Sequence, residues 1–516
     1  MSDSEPVVVV GAGPVGLVTA LLLARHGVPA VVLEAAARRD VSGSRAICFQ
    51  RDVLDVLDRV GCAEPMIERG VTWTTGRTYH RGDELFAVTF TGAGQSAVPP
   101  WINISQAEVE ARLRDLAAAE PLVDVRYGHR VSGVRQDEEG VEARTEGGGT
   151  VRGTHLVGAD GGHGAVRELL GIGFPGSTFT DRFLICDIRA DLPFPSERRF
   201  YFDPEWNPGR QVLVHQCPDR TWRIDWQVPA DLDLDAERGS GALDARIRRI
   251  TGDVPYEIVW ATVYRFHERC AAAFASGRAF LAGDAAHLYA PFGARGLNSG
   301  VQDAENLAWK LAFVRRGWAP EGLLRSYDTE RRAAAEENLR VTTRTMEFLV
   351  PRTARQRARR AEALEAARTH PDPRTIIDSG RLAEPFWYLD SPLTTPAGPL
   401  EDFPRGPGAA RPPVPGVLCP DGPCVVDGEP TRLRRLFGTR FVVLTQGGHA
   451  ERLPTDVPHR VHALDAIDAE GSLRTALRSG PGTVHVVRPD GHLAAVLPSY
   501  DPAAAVAALH RACGRA

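Results

Sequence analysis

Val7-Val8-Val9-Val10-Gly11-Ala12-Gly13-Pro14-Val15-Gly16 leads into a helix-forming run, residues 17–26, and then into Ala30-Val31-Val32-Leu33-Glu34. Four β-branched residues without alternation suit a strand buried on both faces of a parallel sheet. The helix should stop at Gly27, and residues 30–33 return as a second strand, which makes a βαβ unit. In such a unit Gly11 permits the tight turn and Gly13 lets backbone approach a pyrophosphate. Gly16 lets the helix pack close to the strand. Pro14 and Val15 lie within the same cofactor-binding turn, where the helix presents its positive end to phosphate. Glu34, 23 residues after Gly11, can accept hydrogen bonds from a ribose diol and repels a 2′-phosphate. The stretch therefore reads as a site for FAD or NAD. A glycine-rich turn without a ligand is the plainer alternative, and strand, helix and acid in this order weigh against it.

Working outward, 516 residues suffice for several domains, at roughly 100–200 residues each. Apolar residues make up 43% and charged residues 25%, an ordinary globular balance. A net charge of −5 supplies no basic surface, so neither nucleic acid nor an anionic membrane is an expected partner. Residues 1–6 carry no basic, apolar and cleavable leader, and no run reaches the roughly 18 apolar residues of a spanning helix. A cytoplasmic location is expected. The eight cysteines, Cys48, Cys62, Cys186, Cys217, Cys270, Cys419, Cys424 and Cys513, show no C-x-x-C and no zinc spacing. Reduced thiols and no metal site are the expectation. Lys310 is the only lysine, so lysine chemistry has a single candidate.

Helical spacing marks residues 52–60 and 105–119. Alternation marks 182–190, 198–203, 210–217, 221–228 and 256–266, the pattern of an antiparallel sheet with one covered face. A strand at 280–282 precedes a helix at 299–315, and long charged helices follow at 325–349 and 352–367. Pro and Gly crowd residues 394–416, beyond which short strands and helices form a small α/β unit. The expected partition is a dinucleotide domain of residues 1–73, 101–175 and 267–350, with a sheet domain of 74–100 and 176–266. A helical linker, 351–404, and a terminal domain, 405–516, complete it.

Two further motifs are Gly158-Ala159-Asp160-Gly161, with Val166-Arg167 after it, and Gly283-Asp284-Ala285-Ala286-His287. The second continues through Pro291 to Gly296-Leu297-Asn298-Ser299-Gly300. With Ser44-Arg45-Ala46, Gln106 and Tyr327-Asp328-x-Glu330-Arg331, the chain over residues 5–350 resembles the class A flavoprotein aromatic hydroxylases. That family has the para-hydroxybenzoate hydroxylase fold. The resemblance implies an α/β protein with a Rossmann-type FAD-binding domain and an inserted antiparallel-sheet substrate domain. It implies that Gly11, Gly13, Gly16 and Glu34 hold the ADP half of FAD. Arg45 and Gln106 would contact the ribityl and pyrophosphate region, and Asp284 a ribityl hydroxyl. Asp160, Gly161 and Arg167 would serve FAD and a transient nicotinamide nucleotide, which has no Rossmann unit of its own. Pro291 and the loop Gly296, Leu297 and Asn298 would border the isoalloxazine. That loop precedes a helix, whose free N–H groups favour the reduced flavin anion. Asn298-Ser299 reads as the helix N-cap. His163 stands where the family carries a serine and is read as replacing a capping hydroxyl.

From residue 405 the chain resembles the thioredoxin-like C-terminal domain of phenol and polyketide hydroxylases, on Pro420-Asp421-Gly422 and Arg488-Pro489-Asp490-Gly491. Without C-x-x-C the implied role is packing or a homodimer contact rather than redox chemistry.

The resemblance implies an FAD-dependent monooxygenase in which NAD(P)H reduces the flavin. O2 then gives a C4a-hydroperoxide that hydroxylates a phenolic or polyketide-like aromatic. The substrate should lie between flavin and sheet. Along 221–228, Trp222, Ile224, Trp226 and Val228 share one face and Arg223, Asp225 and Gln227 the other. Along 210–217, Gln211, Leu213, His215 and Cys217 share a face. Gln211, His215, Trp222 and Trp226 are the candidate substrate contacts, with core packing as the alternative for the tryptophans. His215 and Tyr289 are the candidate catalytic partners of a phenol hydroxyl. Alternatives are a Baeyer–Villiger oxygenase on the same fold, a halogenase dependent on Lys310, and a flavin-binding protein without turnover.

Overall fold

The computed structural model describes residues 5–38, 46–89, 98–396, 398, 401–406 and 409–515. Its first sheet runs in the order Ala275–Ser276, Ala279–Leu281, Leu156–Gly158, Val7–Val10, Ala30–Glu34, Val123–Tyr127. All neighbours are parallel except the edge pair Ala275–Ser276 with Ala279–Leu281. Val7, Val8 and Val9 are fully buried, as a central strand covered on both faces requires. The first helix, Pro14–Arg25, packs against a second, Arg295–Arg315, and the helix Gln106–Ala119 flanks it.

The second large sheet has eight strands. Its order is His287–Leu288, Tyr256–Cys270, Gly176–Ala190, Thr221–Val228, Gln211–Cys217, Arg198–Phe202, Thr75–His80, Asp83–Thr89. It joins the two separated segments expected to share a domain. It is not wholly antiparallel, because Arg198–Phe202 pairs parallel with Thr75–His80. The two helices Leu234–Gly239 and Ala242–Thr251 lie over one face, and the long helix Arg325–Leu349 contributes to the other.

The terminal unit has a four-stranded sheet ordered His459–Ala463, Phe441–Thr445, Val484–Val487, Leu493–Leu497. The first pair is parallel, the other two antiparallel, and the helix Pro502–Ala512 closes it, the order of a thioredoxin core. No helix forms between Phe441–Thr445 and His459–Ala463, where a thioredoxin carries its redox helix. All eight cysteines are free, and burial raises the Cys419 and Cys513 thiols to about 12. Among the described residues no helix is long and apolar enough to cross a membrane, and no cluster is arranged to hold a metal ion.

Candidate active site

Three separated segments meet at one corner of the first sheet. Gly11 has φ +103°, a left-handed conformation open to glycine, and a Cβ there would press on the Ala159 carbonyl oxygen at 2.5 Å. A Cβ on Gly300 would lie 2.6 Å from Val15 Cγ2 and 3.1 Å from the Gly283 Cα. The first helix, the loop after Ala279–Leu281 and the helix Arg295–Arg315 are therefore in direct contact. Neither helix has an acidic residue in its first turn, so both positive ends are left uncompensated by side chains.

Glu34 accepts the N–H of Ala12 at 2.8 Å and that of Ala36 at 3.0 Å, which aims its carboxylate at the glycine turn. Gln106 and Ala46 exchange two bonds, Gln106 N–H to Ala46 O at 3.1 Å and Ala46 N–H to Gln106 Oε1 at 3.2 Å. Arg45 lies outside the described residues. Asp160 Oδ2 accepts the Val166 N–H at 2.9 Å and so caps the short helix Ala165–Leu169. His163 is exposed and has no part in that cap, which overturns the sequence reading. Asp160 itself supplies the oxygen that the missing hydroxyl would have given. Arg167 donates to the Ala285 and Gly162 carbonyls at 3.1 and 3.3 Å and covers the Phe174 ring, tying this loop to Gly283–Ala285. Asp284 is exposed on that turn, and Pro291 is exposed beyond it.

The helix expected from residue 299 begins at Arg295, after Ala294 in the left-handed region at φ 55°. Asn298 and Ser299 lie within its first turns and are not its cap. The uncapped N–H groups belong to the turn around Gly296 and Leu297. Asn298 ties two elements together instead. Its Nδ2 donates to Cys48 O at 3.0 Å and its Oδ1 accepts from Gln50 N–H at 3.2 Å. It thus pins the strand Cys48–Gln50 to the helix start. Behind the loop stands Asp303, unmarked by any sequence motif. It accepts from His287 Nε2 at 2.7 Å, Arg331 Nε at 2.6 Å and Gly283 N–H at 2.9 Å. Tyr289 stacks on His287, with ring centroids 4.7 Å apart.

Opposite this corner is one face of the eight-stranded sheet. Register settles which side chains share it. Val212 pairs with Trp226, Val214 with Ile224, and Gln216 with Trp222, whereas Leu213 pairs with Asp225 and His215 with Arg223. Trp222 and Trp226 are buried against Leu243 and Ile247 of Ala242–Thr251. Gln211 and His215 point the other way. The four candidate substrate contacts therefore cannot line one pocket, and the tryptophans form the outer core. His215 instead lies 6.1 Å, ring to ring, from Trp73, which stacks with Trp101. Trp73 and Trp101 pack with Cys48 and Ala294, at the helix start that Asn298 secures. Phe183, Phe200, Leu213 and Phe292 extend the same surface.

A family model described as an FAD binding domain matches residues 4–342, and one described as aromatic-ring hydroxylase, C-terminal, matches residues 412–516. The chain belongs to the FAD-dependent aromatic-ring hydroxylases. This hydroxylase is 31% identical over 442 residues to 3-(3-hydroxy-phenyl)propionate/3-hydroxycinnamic acid hydroxylase of Mycobacterium sp. (strain KMS), covering 85% of this chain and 74% of the relative. The flavin-dependent monooxygenase PieE, solved with FAD and substrate, is 25% identical with a TM-score of 0.84, covering 99% of both chains. Aklavinone-11 hydroxylase, solved with FAD and aklavinone, is 25% identical with a TM-score of 0.77, covering 100% of both. The hydroxylase is a flavin-dependent aromatic monooxygenase with FAD as its cofactor.

The donor set fits that cofactor. Two helix starts without acidic side chains suit a pyrophosphate and a reduced ring, and Glu34 suits a ribose diol. Asp160 keeps Oδ1 buried and without a protein partner beside the same turn. Lys310 stands elsewhere. Its ammonium is buried 2.7 Å from Glu330 and 2.8 Å from Asn306, under the terminal domain, which leaves no lysine for a halogenase.

Proposed function

We propose that this hydroxylase oxidises the ring of a phenol held between the turn 292–298 and the inward face of the eight-stranded sheet, with NAD(P)H and O2 as co-substrates. The observation that carries the reading is a set of polar atoms on an otherwise aromatic surface. Gln211 Nε2, His215 Nδ1, Asp225 Oδ1 and Gln227 Oε1 are buried without hydrogen-bond partners, beside Phe183, Phe200 and Leu213. Each such atom costs about 1–3 kcal/mol unless a bound molecule satisfies it. Apolar walls with a few convergent polar groups describe a site for a small aromatic carrying hydroxyl groups.

FAD supplies the electron transfer from the nicotinamide and the activation of O2; the chain supplies binding, orientation and exclusion of water. Gly11, Gly13, Pro14, Val15, Gly16 and Glu34 would hold the adenosine diphosphate end. Gln106, Asp160, Gly161, Arg167 and Asp284 would hold the middle, and Pro291, Gly296, Leu297 and Asn298 the ring. Burial and the nearby Arg198 and Arg223 push His215 down to about 3, so it is a neutral imidazole at neutral pH. In that form it orients a hydroxyl through a hydrogen bond and is a poor proton acceptor. Tyr289 stays protonated, because burial and the adjacent Asp303 raise it well above the usual phenol value. Stacked on His287, it supports the loop in place of the catalytic part expected of it.

The test is oxidation of NADH or NADPH by the yellow holoenzyme with and without added phenols. Stimulation with an NMR-identified ring-hydroxylated product is expected. Esters or lactones formed from added aryl or cyclic ketones, with phenols left unchanged, would replace this reading with the Baeyer–Villiger one, and no stimulation by any phenol would end it.

A further inference from the structure

Four unsatisfied polar atoms share the inward face, and one of them belongs to a carboxylate. Asp225 lies midway along Thr221–Val228, directly across from Leu213 on one side and Ile185 on the other. Its sequence neighbours on that face are already engaged. Arg223 forms two 2.7 Å bonds with Asp187, and Gln227 donates to Asp181 at 2.6 Å. Arg223 therefore spends its fork on Asp187, while Asp225 Oδ1 is left buried without a partner. Burial outweighs the attraction of Arg223 and, with Asp187 adding repulsion, raises the Asp225 carboxyl to about 7. His215 and Cys217 are the other titratable groups on this face of the adjacent strand. A carboxylate oxygen kept unpaired beside leucine and isoleucine costs stability, which an apolar residue at the same place would recover.

Resting on the phenol reading above, we propose that Asp225 is the substrate-anchoring residue, whose carboxylate accepts the hydrogen bond of the aromatic hydroxyl. The ligand class this selects is a ring with a free hydroxyl rather than its ether. Asp225 approaches the hydroxyl from the sheet, opposite the loop that would border the flavin. The hydroxylated edge is then turned away from the oxidant, and a carbon elsewhere on the ring is presented to it.

The experiment compares phenol, resorcinol and p-nitrophenol, each with its methyl ether, by the change in the flavin absorption spectrum of the holoenzyme. Wild type is expected to bind a phenol over its ether by roughly tenfold or more, the scale of a hydrogen bond to a charged acceptor. In Asp225→Leu, the ratio should fall to about one. Thermal unfolding of Asp225→Leu holoenzyme without ligand should be unchanged or raised, because an unsatisfied carboxylate has gone. Asp225→Glu should restore part of the phenol preference. A variant that melts early yet keeps the preference would show a structural role and overturn the proposal. So would a wild type whose NAD(P)H oxidation is stimulated by phenols but which binds ethers equally well; in that case the phenol reading stands. If no phenol stimulates oxidation, both fall.

Discussion

Arg488 of the terminal domain closes on Glu330 of the helix Arg325–Leu349 with both ends of its guanidinium, at 2.6 and 2.9 Å, and each side chain is 1% exposed. Lys310, Asn306 and Ser391 also donate to Glu330, and Arg488 is shared with Asp490, which accepts from Trp309. The next residue on the helix, Arg331, bonds Asp303 behind the loop 292–298. The terminal domain thus reaches that loop through adjacent side chains of one helix. Replacing Arg488 by Met leaves the buried Glu330 with Lys310 as its remaining cation and takes the guanidinium away from the buried Asp490. The expected loss is about 3–5 kcal/mol, read by chemical unfolding of the holoenzyme.

Asp303→Asn tests the support of the loop directly. Burial alone would raise the Asp303 carboxyl, but His287 and Arg331 outweigh it and hold it below the ordinary 3.8. A depressed folded pKa contributes stability above the unfolded value and loses it as pH falls through the folded one. The wild-type stability curve should therefore bend down in acid, and the variant should lack that component. FAD content per chain should also drop, measured by absorbance after gel filtration.

Three histidines held largely out of water act on the same acid side of the pH scale, at a higher pH than Asp303. Burial lowers His26 to about 4, His215 to about 3 and His485 to about 4. Below the unfolded pKa near 6.5 the unfolded chain takes up protons that the folded chain refuses, so stability falls as pH falls toward 4. His485→Gln should flatten this slope by about one proton, or about 1.4 kcal/mol per pH unit, in urea titrations.

Gly300→Ala should uncouple fold from cofactor. Its methyl meets Val15 and Gly283, each part of the proposed FAD cradle. An overpacking cost of about 1–3 kcal/mol is expected to appear mainly as weaker FAD retention, with circular dichroism unchanged.

Trp222→Ala, on the outer face, should cost about 3–5 kcal/mol of stability through the cavity it leaves. The KM for a phenol should hardly move. His215→Ala should show the reverse split, a raised KM with a smaller change in melting temperature.

The glycine turn between the first strand and helix was legible in sequence because it rests on local backbone demands: Gly11 needs its positive φ, and Gly16 needs its missing side chain. Alternation also revealed the two faces of 211–217 and 221–228. Which face is inward was not legible, since it depends on the helix Ala242–Thr251, whose docking no local pattern encodes. The helix start was misplaced for a similar reason. Gly296 and Asn298 resemble turn residues, but the break comes at left-handed Ala294. Asp303 is one of two acids on its helix, and nothing local marks it out, because its partners come from residues 16 and 28 positions away. The Arg488–Glu330 pair spans 158 positions.

The register between Gln211–Cys217 and Thr221–Val228 divides mutational effects by parity. Positions 213, 215, 225 and 227 share the face proposed to meet the ligand, whereas 212, 214, 224 and 226 pack beneath a helix. Directed evolution toward a new aromatic could diversify the first set alone and leave thermal robustness to the second. The pleat itself serves as the partition between selectivity and durability.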